Sequence, residues 1–168
     1  IIGANAHADW HDLIVGAGGA DGPADARDRA GDSYVIFGKA AGFGATLDLA
    51  SITTGDGSLG FVLQGEPVYA FSGTSVASAG DVNGDGFDDV IIGALDFLGG
   101  GRAYLYLGSA AGLSALPAWT MSGMQAGAHF GVVSGAGDLD SDGYADVIVG
   151  APSFNHPQNN EGRVQVFY

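Results

Sequence analysis

"GDVNGDGFDDVIIGA", residues 80–94, runs an acidic, glycine-punctuated stretch straight into an apolar one. The second half, "DVIIGA" (89–94), is short, β-branched and closed by Gly-Ala, which reads as a buried strand. It has two kin in the chain, "DLIVGA" at 12–17 and "DVIVGA" at 146–151. Each is followed by a loop containing Gly or Pro and then by a second apolar strand: "SYVIFG" (33–38), "AYLYLG" (103–108) and "RVQVFY" (163–168). Two of these continue in register, as "FGKAAGF" (37–43) and "LGSAAGL" (107–113). Chance does not supply such a set, so the chain is built on an internal repeat.

The repeat cores lie 77 and 57 residues apart. The longer interval carries 7 extra residues within 18–32 and 13 more between Lys39 and Ser72. Insertions confined to connections are what repeat architectures tolerate. "TSVASAGD" (74–81) alternates small polar and small apolar residues, as an inner strand near a crowded axis would. "GFVLQG" (60–65) and "AWTMSG" (118–123) supply a fourth strand. Helical periodicity is nearly absent, and "GGADGPADARDRAGDS" (18–33) reads as a long loop.

These features predict an all-β protein of four-stranded antiparallel meanders, stacked as β-propeller blades. The expected units are 1–65 (incomplete at its start), 66–123, and 124–168 (incomplete at its end). A sheet of this size leaves both faces wet, so the units must stack on one another. Closure of a ring takes at least about four blades. A partial propeller of about three repeats is therefore expected, one that completes its ring with further blades of a parent chain or a partner. "IIGA" (1–4) reads as the tail of another copy, and the initial Ile suggests a processed or excised piece.

Composition narrows the function. The chain has 168 residues, is 46% hydrophobic and carries a formal charge of −14, with only 5 Lys or Arg. No basic stripe exists, which excludes nucleic acid and anionic membrane surfaces as natural partners. All but Glu66 and Glu161 of the 19 acidic residues are Asp. Asp favours turns, and its short reach suits tight loops that close around a cation. There are no cysteines, hence no disulfide scaffold or thiolate zinc site. No run approaches the length of a membrane span, so no membrane insertion is expected.

Within "DVNGDGFDD" (81–89), Asp81, Asn83 and Asp85 stand at positions one, three and five, Gly86 at six and Asp89 at nine. "DLDSDGYAD" (138–146) repeats the pattern with Asp138, Asp140, Asp142, Gly143 and Asp146. Alternate side chains in a tight loop converge on one point, and Gly permits the reversal. The carbonyls of Phe87 and Tyr144, at position seven, add a further oxygen. All-oxygen ligation by several carboxylates in a flexible loop suits calcium better than octahedral magnesium. Two calcium sites are thus expected, each tying one strand to the next. An Asp-rich turn without an ion is the plainer alternative. Asp88 falls outside the pattern and reads as a solvated charge.

At these residues the chain resembles the FG-GAP repeats of the integrin α-subunit propeller and of bacterial surface proteins. The resemblance rests on "SVASAGDVNGDGFDDVIIGA" (75–94), "HFG" (129–131) and "GAGDLDSDGYADVIVGAP" (135–152). It implies a seven-bladed propeller with calcium loops between the first two strands of certain blades, opposite the usual ligand surface. It implies adhesion and recognition, and in some members a non-catalytic module attached to an enzyme or lectin. Four departures stand out. The middle unit has "FSG" (71–73) for Phe-Gly, and Leu95 follows Gly93-Ala94 where Pro is usual. The spacing from Gly131 to Asp138 is one residue shorter than from Gly73 to Asp81, which requires a local register adjustment. In the first unit Ala4, Ala6 and Ala8 fall at ligand positions, so no metal site is carried over there.

Other chemistry finds little support. "HADWHD" (7–12) lacks the His-Glu-x-x-His pattern, and "VGAGGAD" (15–21) lacks the third glycine and the helix of a dinucleotide loop. The serines of "SVASAG" (75–80) and "VVSGAG" (132–137) match no nucleophile elbow and read as packing residues. Tyr34, Phe37, Tyr104, Tyr106 and Phe167 fit blade-to-blade packing, while Trp10 and Trp119 stay ambiguous. The sequence thus predicts a calcium-binding, non-catalytic module for extracellular or cell-surface adhesion or protein recognition. A carbohydrate-binding propeller, or an accessory module of a secreted hydrolase, is the alternative. A protein or glycan ligand would meet loops 18–32, 95–101 and 152–162, with 66–72 and 124–129. Phe97, Phe154, His129 and His156 are the candidates there.

Overall fold

The structure, a computed structural model, describes residues 11–22, 27–65, 70–96 and 99–168. Most of "HADWHD", Trp10, the Ala4, Ala6 and Ala8 positions, the "IIGA" tail, Phe97 and parts of loops 18–32, 66–72 and 95–101 lie outside the described residues. Ten strands are described: β1 (Leu13–Ala17), β2 (Asp32–Ile36), β3 (Gly60–Gln64), β4 (Ser72–Gly80), β5 (Asp89–Ala94), β6 (Arg102–Tyr106), β7 (Trp119–Ser122), β8 (Val132–Gly137), β9 (Asp146–Ala151) and β10 (Arg163–Phe167). They form three antiparallel sheets ordered β1-β2-β3, β4-β5-β6-β7 and β8-β9-β10. The complete middle sheet is the four-stranded meander expected, and the chain is an all-β assembly of propeller blades.

The sheets stack face to face. Val35 of the first sheet packs with Val90 and Ile92 of the second, joined by Ile14, Phe37 and Tyr106. The opposite face of the second sheet, with Ile91 and Ala103, packs on Val133, Val147 and Val149 of the third. Alternating residues of β5 therefore enter two different cores, which is why all six are buried. Trp119 settles into the second of these cores, its ring edge-on to Phe167 with centroids 4.7 Å apart.

Glycines let the sheets approach at their inner strands. A Cβ on Gly16 would lie 1.9 Å from the Gly73 carbonyl oxygen, and one on Gly93 would lie 1.7 Å from that of Gly131. The first sheet thus meets the second through the same Gly-on-Gly contact by which the second meets the third. Ser75 adds a polar tie across the latter junction: its Oγ accepts from Val133 N–H at 3.0 Å. That places Ser75, the first serine of "SVASAG", in a structural hydrogen bond.

The register adjustment is visible at β4. From Ser75 and Val132 onward the two inner strands pair identically with β5 and β9, down to matching shifts at Ser78/Gly80 and Gly135/Gly137. The surplus residue is taken up in a second irregularity, between Ser72 and Ser75. "FSG" is resolved by the same comparison. Phe71 and His129 both have positive φ, at 55° and 56°. Ser72 N–H donates to the Ala30 carbonyl as Phe130 N–H donates to that of Gly100. Ser72, not Phe71, stands where the buried Phe130 stands in the third sheet.

The long connection after β2 contributes a short helix, α1 (Ala50–Thr54), which the sequence pattern did not single out. Ile52 from this helix is buried against Tyr34 and Ile36, on the face of the first sheet turned away from the second. Tyr34 therefore packs on the chain's own insertion rather than between blades, a correction to the expectation for that aromatic. Phe37, Tyr106 and Phe167 do pack between sheets.

Candidate metal centres

Residues 81–88 and 138–145 connect β4 to β5 and β8 to β9. Each loop leaves its strand at a left-handed glycine, Gly80 (φ 76°) or Gly137 (φ 67°). Side-chain carboxylates and amides then organise the backbone. Asp81 Oδ1 accepts from the N–H groups of Gly84 at 2.7 Å and Asp85 at 3.1 Å, and its Oδ2 accepts from Gly86 at 2.8 Å. Asp138 accepts from Asp142 at 3.1 Å and Gly143 at 3.0 Å. Asn83 Oδ1 takes the Asp85 N–H at 3.0 Å, as Asp140 Oδ1 takes that of Asp142 at 3.2 Å. Asp85 and Asp142 accept in turn from Phe87 and Tyr144, at 3.0 Å and 2.9 Å. Position by position the two loops are wound alike. Ser141, at φ 65°, even occupies the left-handed turn that Gly84 makes at φ 76°.

The carboxylates at position nine close the loops from below. Asp89 is wholly buried; its Oδ2 accepts from Val82 N–H at 2.8 Å and its Oδ1 from Gly108 N–H at 2.7 Å. Asp146, 1% exposed, accepts from Leu139 N–H at 2.6 Å through Oδ2. Its Oδ1 corresponds to the Asp89 and Asp12 oxygens that accept from the Gly108 and Gly38 N–H groups. A donor set made of carboxylate and carbonyl oxygens alone suits a hard divalent cation.

Among the described residues, Asp138, Asp140 and Asp146 each bring an oxygen within 4.8 Å of the other two. Asp142 stands outside that set. In the middle loop Asp81, Asp85 and Asp89 do not gather this closely; there Asn83 Nδ2 donates to Asp85 Oδ2 at 3.0 Å. The amide supplies a donor where the third loop has the Asp140 carboxylate.

Electrostatics differ along each loop. The Gly86 N–H, helped by those of Gly84 and Asp85, holds the Asp81 carboxyl below its ordinary range. Burial pushes the Asp89 carboxyl up, and the charges of Asp85 and Asp81 add to the push against the Gly108 and Val82 N–H groups. Asp89 thus destabilises the cation-free fold when ionised. Between the ordinary value of 3.8 and the raised folded value, the native state holds the extra proton. This group's contribution to stability therefore falls as pH rises through that window. Urea midpoints in chelator should fall with pH more steeply for the native chain than for Asp89→Asn, in which only Asp32, also raised by burial, keeps that sign.

At the opposite end, loops 124–129 and 152–162 meet. Gln125 and Asn155 exchange hydrogen bonds, Asn155 N–H reaching Gln125 Oε1 at 2.7 Å. His129 Nδ1 lies 3.0 Å from Ser153 Oγ. Phe154 is part-buried on the core with Arg163 over its ring, so it anchors the loop, while His156 is exposed.

Stacked antiparallel sheets, two of them knotted at the first hairpin by an oxygen-rich loop, define the class: propeller blades of the loop-braced kind. The FG-GAP repeat family matches residues 72–106 and 130–167, and the chain belongs to that family. The two matched stretches begin at Ser72 and Phe130, the residues shown above to be structurally equivalent. The chain is 34% identical over 151 residues to integrin alpha-3 of Cricetulus griseus, covering 86% of this chain and 13% of that protein. To integrin alpha-IIb of Mus musculus it is 32% identical over 145 residues, 84% of this chain and 13% of the relative. To integrin alpha-7 of Homo sapiens it is 41% identical over 91 residues, 53% of this chain and 8% of the relative. The chain thus spans about an eighth or less of these relatives' length.

Proposed function

We propose that this chain is a calcium-braced, non-catalytic recognition module. Asp81, Asn83, Asp85, the Phe87 carbonyl and Asp89 would hold one ion. Asp138, Asp140, Asp142, the Tyr144 carbonyl and Asp146 would hold the second. The observation that carries the reading is the matching hydrogen-bond pattern of two oxygen-rich loops on equivalent strands. Bound calcium would neutralise carboxylates that otherwise repel one another, and would fasten inner strand to second strand in both sheets.

The similarity to integrin α chains supports adhesion or protein recognition, at the extracellular or cell-surface side. Weak loop sites of this kind, with affinities of about 10⁻⁴ M, fill at millimolar but not at sub-micromolar calcium. Units 1–65, 66–123 and 124–168 would act as consecutive blades, with further blades supplied by a parent chain or partner. The outward face of the third sheet agrees with this, since Val132, Val164 and Val166 are exposed on it. A ligand would meet the loops opposite the cation loops.

Immobilised chain, probed with extracellular-matrix proteins and with a glycan array, tests the recognition. Calcium-dependent capture of a protein fits the adhesion reading. Sugar binding that survives alanine substitution of both acidic loops would replace it with a lectin-like one.

A further inference from the structure

Asn83-Gly84 is the one Asn-Gly pair in the sequence. The other asparagines precede Ala6, His156, Asn160 and Glu161, whose side chains crowd the nitrogen that follows. Glycine has no Cβ, so its nitrogen can reach the side-chain carbonyl carbon of the asparagine before it. Asn83 and Gly84 are both exposed, in the turn of the middle loop. Hydrogen bonds nevertheless restrain the two groups. Asn83 Oδ1 accepts from Asp85 N–H at 3.0 Å, and its Nδ2 donates to Asp85 Oδ2 at 3.0 Å. Gly84 N–H donates to Asp81 Oδ1 at 2.7 Å. A larger residue is barred from position 84 by the next sheet, since a Cβ there would stand 2.5 Å from Tyr144 Cε1.

We propose that Asn83 is a site of spontaneous deamidation through Gly84, held back by the winding of its own loop. The Gly84 nitrogen bonds to Asn83 Cγ, the Cγ–Nδ2 bond breaks, and the Gly84 proton leaves with the amide nitrogen as ammonia. Water then opens the cyclic imide. Cleavage between Cγ and the ring nitrogen leaves an aspartate at position 83; cleavage at the backbone carbonyl leaves an isoaspartyl link. The first product gives the middle loop the carboxylate that Asp140 supplies in its sister, and removes the Nδ2 donor to Asp85. The second adds a methylene to the backbone, so the N–H groups of Gly84, Asp85 and Gly86 can no longer all meet Asp81. The restraining bonds all form within the chain, so no bound ion is required. Protection is lost when the loop opens, and the open fraction sets the rate.

Peptide mass spectrometry of the full chain after incubation in chelator tests this, with heavy-oxygen water marking conversion that occurs during incubation. Asn83 should convert at least about ten-fold faster in urea than in the native chain. Asn155, followed by His156, serves in the same samples as the reference for an asparagine without glycine after it. Asp81→Ala removes the acceptor of the Gly84 N–H and should bring the rate in the folded chain within about three-fold of that in urea. If circular dichroism shows that variant unfolded, Asp85→Ala, which releases Asn83 Nδ2, replaces it. Gly84→Ala, compared in urea where the Tyr144 contact is gone, should slow conversion to the level of Asn155. Equal rates in the native chain and in urea, or a folded Asp81→Ala chain as slow as the native one, overturn the protection. Conversion in urea no faster at Asn83 than at Asn155 overturns the site. A converted peptide that an isoaspartyl methyltransferase fails to label overturns the imide route.

Discussion

Stripping divalent cations from this chain is expected to lower its melting temperature by about 6–12 °C. The figure follows from the loop chemistry. With a dissociation constant of about 10⁻⁴ M and calcium at about 1 mM, each filled site stabilises the fold by roughly 1.4 kcal/mol. Two sites give about 3 kcal/mol, a large share of the stability of an ordinary domain. A chain of this size shifts by about 2–4 °C per kcal/mol. Differential scanning fluorimetry in chelator and then in excess calcium reads the change directly. Asp81→Ala or Asp138→Ala should each remove about half of it. A melting curve indifferent to chelator would leave the loops as Asx turns and nothing more.

The second large effect concerns glycines that carry no chemistry. Gly93→Ala puts a methyl group 1.7 Å from the Gly131 carbonyl oxygen, which belongs to the next sheet's backbone and cannot rotate away. Gly16→Ala repeats the collision at 1.9 Å against Gly73. Either substitution must push two sheets apart, and a cost of about 3 kcal/mol or more is expected. Gly150 occupies the same position in the third sheet. Its nearest neighbours are atoms of Val132, at 3.5 Å and 3.6 Å, an ordinary contact. Gly150→Ala should change stability by less than about 0.5 kcal/mol. Urea denaturation of the three variants separates the cases. Equal tolerance at Gly93 and Gly150 would show that the inner strands do not pack as described.

Together these expectations assign two different jobs to the repeated sequence "D-V-I-[IV]-G-A". Its Asp stitches a loop to its own sheet, while its Gly admits the neighbouring sheet. Loss of the first weakens a hairpin and a cation site; loss of the second separates blades. Stability measured with and without calcium distinguishes them, since the glycine effect should persist in chelator.

The sequence by itself determined the local matters. Period-two and β-branched runs bounded by Gly marked the strands, because strand formation depends on residues within a few positions. The one-three-five-nine spacing of Asp and Asn marked the loops for a similar reason: the hydrogen bonds that wind them close within eight residues, though Asp89 also reaches Gly108. Internal repetition then forced the stacking, since no lone sheet could bury both faces. What only the tertiary structure decided involves residues brought together from different units. Ser72 bonded to the Ala30 carbonyl, Gly93 against the Gly131 carbonyl and Ser75 bonded to the Val133 N–H are all of this kind. No local pattern encodes them, because each depends on how far one sheet slides and turns on the next, and that is set by summed packing between residues distant in the chain.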